Sequence, residues 1–141
     1  NREERKAIND LNRKTEKPKA HEVVTLAEMQ KATLLAERIR MDDNVREYVQ
    51  DVLDAVQDPS SVGVGQPGLV EGALVTRASI MMEKAARIHA MMQGRTYVTV
   101  QDVKDVATRI LRHRVILSYA AGEMTPDKLI AEVLAAVPAR R

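Results

Sequence analysis

Two stretches hold residues whose types and spacing could do chemistry. Gly63-Val-Gly65-Gln-Pro67-Gly68 repeats the glycine spacing that lets a backbone approach a dinucleotide pyrophosphate at a helix N-terminus. A few residues on, Arg77 stands in Gly72-Ala-Leu-Val-Thr76-Arg77-Ala, where a glycine-rich loop gives way to an apolar helix. A helix N-terminus has unpaired N–H groups and a partial positive charge, so a cation there is mildly repelled unless an anion sits beside it. If a phosphate supplies that anion, the forked guanidinium donors and the helix N–H groups act on it together. If none does, Arg77 is a solvated surface arginine.

Context separates the two stretches. The dinucleotide fingerprint follows a strand and opens a helix inside a βαβ unit, but Asp58-Pro-Ser-Ser precedes this one and Pro67 interrupts it, so the run reads as a loop. The chain has no Gly-x-x-x-x-Gly-Lys-Ser/Thr phosphate loop. Histidines 21, 89 and 113 are scattered without ligand spacing, so no metal site is expected, and His89 is expected to be partly buried between helices. No Ser, His and acid constellation is recognisable, and no enzyme active site is expected within these residues. Arg109, Arg112, His113 and Arg114 cluster at the end of a helix. They either complement its negative C-terminal dipole or, for Arg112 and Arg114, contact a phosphate or an interface. The seven methionines, with the pairs Met81-Met82 and Met91-Met92, read as core filling.

The elements that must position these residues are helices. Among 141 residues, 45% are hydrophobic and 30% charged, ordinary for one globular domain with a real core. The only aromatic residues are three tyrosines, so the core must be Leu, Ile, Val, Met and Ala, a mixture that favours packed helices. Twenty-two Lys and Arg against twenty Asp and Glu leave a net charge of +2, too balanced for a general nucleic-acid binder. Cysteine is absent, which excludes disulfides, thiolate metal sites and thiol catalysis, and fits a cytoplasmic setting. No apolar run of about 18 residues offers a membrane span. The chain starts at Asn rather than Met, and a segment of a longer protein is expected.

Residues 1 to about 14 are helix-favouring, with Ala7, Ile8 and Leu11 at helical spacing, and end in the polar Thr15–Lys19 linker. Thr25-Leu-Ala-Glu28 has the form of a capping box, after which Leu26, Met29, Ala32, Ala36 and Ile39 share one face. Asp42 or Asp43 can cap the next helix, with Val45, Tyr48, Val49, Val52, Leu53 and Val56 inward and Asp58-Pro59 stopping it. A loop spans 58–71. A long central helix then runs from Val75 or Thr76 to Gln93, with Ala78, Met81, Ala85, Ile88 and Met92 inward and Gly94 as a left-handed stop. Thr99-Val-Gln-Asp102 caps a helix that buries Val103, Val106, Ala107, Ile110 and Leu111. Thr125-Pro126 opens the last, with Leu129, Ile130, Val133, Leu134 and Val137 inward until Pro138. The expectation is all-α: a bundle of about five main helices over 21–141, preceded by an N-terminal helical stub and linker over 1–20.

From Thr25 onward the chain resembles the C-terminal helical lid of the MoxR family of AAA+ ATPases. In that family the lid helix opens with Gly-Ala-Ser-Pro-Arg-Ala and leads to a Gly-Arg-x-Tyr-Val-x-x-x-Asp-Val stretch. Here these correspond to Gly72-Ala-Leu-Val-Thr-Arg77-Ala and Gly94-Arg-Thr-Tyr97-Val-Thr-Val-Gln-Asp102-Val. Leu111-Arg-His-Arg-Val-Ile-Leu117 and Thr125-Pro-Asp-Lys-Leu-Ile-Ala-Glu-Val-Leu134 resemble the family's ending.

The resemblance implies that Arg77 is the sensor 2 arginine, which contacts the terminal phosphate of ATP and couples hydrolysis to lid movement, with Thr76 beside it as a second nucleotide-binding residue that is also able to cap the helix. It also implies a preceding AAA+ core in the same chain that holds ATP with Mg2+, a ring-forming homo-oligomer, and a client protein to be remodelled or activated, with nucleic acid not expected. This sequence departs from the pattern by one residue inserted before Arg77 and by Val75-Thr76 in place of Ser-Pro. The rival readings are a helical nucleic-acid-binding module using Arg109, Arg112 and Arg114, and a structural interaction bundle without nucleotide chemistry.

Overall fold

The computed structural model describes residues 2–13, 21–73 and 76–139. They form two compact units, Asn1–Gln30 and Lys31–Arg141, each described by itself. The first holds α1 (Arg2–Arg13) and the start of α2 (Leu26–Glu37), within which the boundary falls. Ala7 is exposed, while the side chains of Ile8 and Leu11 and the Thr15–Lys19 linker lie outside the described residues.

The expected capping box at the start of α2 is complete. The Glu28 N–H donates to Thr25 Oγ1 at 3.2 Å, and the Thr25 N–H and hydroxyl donate to Glu28 Oε2, each at 2.8 Å. The inward stripe is shorter than the spacing predicts: Leu26 and Met29 are exposed, Ala32 is half-buried, and only Ala36 and Ile39 enter the core. Periodicity identifies the apolar face of a helix, but how much of that face is covered depends on its neighbours.

The second unit is built around α3 (Asp43–Gln57), whose Val45, Tyr48, Val49, Val52, Leu53 and Val56 are all buried. Asp42 stands at its N-cap without a side-chain cap bond, pairing instead with Arg40 at 3.4 Å, while Asp43 pairs with Arg46 at 2.6 Å. After a short 3-10 turn, Pro59–Val62, comes the glycine run. Gly63, Gly65 and Gly68 all have positive φ, the region only glycine enters cheaply. At Gly65 a Cβ would lie 2.6 Å from Leu69 Cδ2, so this glycine lets the buried Leu69 fold back under the loop. The run is therefore explained by the backbone conformation of the loop, which takes positive φ at all three glycines.

Next come two strands that the periodicity did not reveal. Strand β1 (Val70–Ala73) pairs antiparallel with β2 (Val115–Leu117), matching Val70 with Leu117, Gly72 with Ile116 and Ala73 with Val115. The Ser118 N–H extends the pairing by donating to Leu69 O at 3.0 Å. Strands of four and three residues are too short to show an alternating pattern, and their pairing is long-range.

Helix α4 (Thr76–Met92), expected to be central, buries only one side, with Ile80, Met81, Ile88 and Met92 exposed on the other, and its inward face differs from the expected one. Ala78, Met82, Ala86 and Ala90 are fully buried, whereas Met81, Ile88 and Met92 face outward and Ala85 is half-buried. Apolar side chains occur on both sides of α4, and the side presenting small residues packs closest against its neighbours.

Gly94 ends α4 at φ +71° in a Schellman cap: its N–H bonds to Met91 O at 2.9 Å and the Arg95 N–H to Ala90 O at 3.0 Å. Helix α5 (Val100–Leu111) buries Val103, Val106, Ala107 and Leu111, with Ile110 half-buried. Helix α6 (Pro126–Ala136) buries Leu129, Ile130, Val133 and Leu134, followed by Val137. The fold is the expected helical bundle with a small two-stranded sheet added.

Candidate functional site

Arg77 is the second residue of α4 and is exposed. Its approach is set by β1, which is tied to β2 through Ala73 and Val115 before the chain passes through residues 74 and 75, outside the described set. Thr76 is the first helical residue and is also exposed. Arg77 makes no hydrogen bond or ion pair among the described residues.

The basic cluster after α5 is divided by the fold. Arg112 pairs through Nη2 with Asp127 Oδ2 in the first turn of α6, which neutralises its charge. Arg109 and His113 are exposed. Arg114 turns the other way, onto α4, where its Nη2 donates to Met81 Sδ at 2.7 Å, and its Nε is buried without a partner among the described residues. Met81 is four residues beyond Arg77 and shares its helix face. The structure thus brings Arg114 to the Arg77 side of α4 and takes Arg112 away from it.

A second constellation forms at the other end of α4. Asp102, 1% exposed, is the only buried charged residue described. Its Oδ2 accepts from Arg95 Nη1 at 2.7 Å, from the Thr99 N–H at 2.7 Å and from the Thr99 hydroxyl at 2.8 Å. Its Oδ1 accepts from Arg95 Nη2 and is 2.8 Å from His89 Nδ1. Burial alone raises the Asp102 pKa, but the Arg95 guanidinium, the Thr99 N–H, His89 and the Thr99 hydroxyl outweigh it and hold the carboxyl well below the usual range. Arg95 also donates to Tyr97 O at 3.1 Å.

Sequence reasoning found the Thr99 and Asp102 capping box and the part-buried His89, but assigned Arg95 no role. The available signal was position: the residue after a glycine helix stop is close to the first turn of the next helix. The polar groups of this cluster are spent on one another, with Arg95, Thr99 and His89 all directed at the Asp102 carboxylate, so its chemistry is structural.

Fitness for a nucleotide can be judged from the same residues. Arg77 and Arg114 together offer forked donors without a carboxylate partner, which suits a phosphate group. Among the described residues no group of three His, Cys, Asp or Glu is placed to hold a metal ion. A groove of about 310 Å³ lies between Thr33, Ala36 and Glu37 of α2 and Lys84, Arg87 and Ile88 of α4, and Arg77 does not line it. Among the described residues no helix is long and apolar enough to cross a membrane.

Comparison with known proteins agrees with this architecture. Residues 69–133, which run from the end of the glycine loop into α6, match the AAA lid domain family. The chain is 31% identical over 123 residues to the chaperone MoxR1 of Mycobacterium tuberculosis, covering 85% of this chain and 33% of that protein. It is 28% identical over 117 residues to the MoxR protein of Methylorubrum extorquens, covering 77% and 34%. With the MoxR protein of Paracoccus denitrificans it shares 32% identity over 102 residues, covering 67% and 30%.

A crystal structure of a candidate ATPase from Cytophaga hutchinsonii superposes with a TM-score of 0.78 over the whole of this chain and 44% of that one, at 21% identity, a likeness of fold. The helical domain is a AAA+ lid. It belongs to the MoxR family, and the chain spans about a third of the length of the curated relatives it matches.

Proposed function

We propose that this lid follows a AAA+ ATPase core in the same chain and that Arg77 is its sensor 2 arginine, contacting the terminal phosphate of ATP. One observation carries the reading: Arg77 is exposed at the second position of α4, inside the segment that matches the AAA lid family, with no counterion among the described residues.

The guanidinium acts by electrostatic stabilisation of charge on the transferred phosphoryl group, neither as nucleophile nor as base. Mg2+ neutralises charge on the phosphates, and the preceding core supplies its ligands together with the main grip on the nucleotide. Because β1 and β2 tie the start of α4 to the segment after α5, a force on Arg77 reaches the rest of the lid as a unit. That gives a route from hydrolysis to movement, and from there, in a cytoplasmic ring of copies, to remodelling or activation of a client protein.

The rival nucleic-acid reading loses one of its three cations, since Arg112 is already paired with Asp127. In the full-length protein Arg77→Ala is expected to lower ATP turnover about tenfold or more while leaving the melting temperature of the domain unchanged. Unchanged turnover would remove the sensor assignment, and steep salt-dependent DNA binding by the isolated domain would favour the rival.

A further inference from the structure

Arg114 is a cation without a counterion among the described residues. Its Nη2 rests on a thioether, a weak acceptor, and its Nε is buried with no partner among the described residues. Leaving a buried donor unpaired is costly, and among the described residues no ion pair to Arg114 relieves that cost.

Its position follows from the sheet. Ala73 pairs with Val115, so Arg114 lies just before the paired residue on one strand, while the chain leading to Arg77 continues just after it on the other. The contact with Met81 marks where the guanidinium lies. Residues four apart on a helix share a face with Cβ atoms about 5–6 Å apart, and helical side chains lean toward the N-terminus. The Met81 side chain therefore leans over the turn that carries Arg77, and Arg114 comes with it. Two unpaired cations at one end of α4 repel each other until an anion joins them.

We propose that Arg114 is a second phosphate-contacting residue of the Arg77 site, leaving the Met81 sulfur for a terminal phosphate when a nucleoside triphosphate is held there. The inference rests on the assignment of Arg77 to that phosphate. It separates Arg114 from Arg112, its neighbour in the same basic run, whose charge Asp127 already satisfies.

The test is a calorimetric titration of the full-length protein with ADP and with a slowly hydrolysed ATP analogue. Arg114→Ala is expected to weaken the ATP analogue about tenfold while shifting ADP less than about twofold, since only the triphosphate presents the group that Arg114 touches. Arg114→Lys, which keeps the charge but loses the fork, should recover part of that loss. Met81→Leu removes the sulfur acceptor and should leave both affinities at the wild-type level.

Equal losses for the two nucleotides, or no loss for the analogue, would overturn the proposal. So would a Met81→Leu variant that reproduces the Arg114→Ala loss, because the contact itself would then be what matters. If Arg114→Ala fails to fold, the comparison of Arg114→Lys with Arg114→Gln decides: the proposal requires lysine to bind the analogue more tightly than glutamine, and equality overturns it. Arg77→Ala, titrated alongside, separates the two assignments. If it weakens the analogue while Arg114→Ala does not, only Arg114 is misassigned; if neither does, the Arg77 reading falls as well.

Discussion

Arg95 grips both oxygens of Asp102, with Nη1 at 2.7 Å from Oδ2 and Nη2 on Oδ1, across the turn that joins α4 to α5. The pair sits directly behind the Schellman cap at Gly94, and His89 from the last turns of α4 completes the set. One carboxylate therefore caps α5 and binds the end of α4, fixing the angle between the helix that carries Arg77 and the rest of the lid.

Removing that carboxylate is expected to be costly. Asp102→Ala leaves Arg95, Thr99 and His89 without their shared acceptor, and a loss of about 3 kcal/mol in unfolding free energy is expected. Arg95→Ala should lower the melting temperature in the same direction. A double-mutant cycle between them, followed by chemical denaturation, should show clear coupling; additive losses would mean that the two do not act as a pair.

The same carboxylate predicts an acid limb. Its pKa is lowered in the folded state, so the unfolded chain takes up the proton first as pH falls, and the stabilisation is complete above the ordinary aspartate value of about 3.9. It is lost as pH drops through that value toward the lower folded one. The stability gap between the wild type and Asp102→Asn should therefore narrow between about pH 5 and pH 2, measured by denaturant unfolding at each pH. A gap that stays constant would contradict the depressed pKa.

Tyr48 offers a prediction of the opposite sign. Its ring is fully buried in α3 and its hydroxyl has no partner among the described residues. Burial, with the Asp51 charge adding to it, pushes the phenol up to about 12. Tyr48→Phe removes an unsatisfied polar group without changing the packing, so it should be neutral or stabilising by up to about 1 kcal/mol. A clear loss in thermal unfolding would show that the hydroxyl is paired after all.

The two sides of α4 should respond differently to truncation. Met82 is fully buried, and Met82→Ala should cost about 3 kcal/mol, whereas Met92, 76% exposed, should tolerate alanine within about 0.5 kcal/mol. The sequence pattern alone predicts a large loss at Met92, so this comparison separates the observed face from the expected one.

Gly94 should resist substitution for a backbone reason. Its φ of +71° is unfavourable for any residue with a Cβ, although nothing lies within 4 Å of where that atom would be. Gly94→Ala should therefore cost about 1 kcal/mol through strain alone, read as a drop in melting temperature without a change in helix content.

What could be read from the sequence is what is local. The capping boxes at Thr25 and Thr99, the stop at Gly94, Pro126 opening α6 and the inward face of α3 all depend on residues within about one or two helical turns, and each is present in the structure. The family motifs were legible for the same reason, since they run along the chain.

What only the tertiary structure decided lies in contacts between distant residues. Pairing Ala73 with Val115, turning Arg112 to Asp127 and bringing Arg114 to Met81 each require segments that approach only after the helices pack. The inward face of α4 belongs with them. Apolar residues line both of its sides, so periodicity could not choose between them, and the choice went to the side whose alanines allow the neighbouring helices to come close.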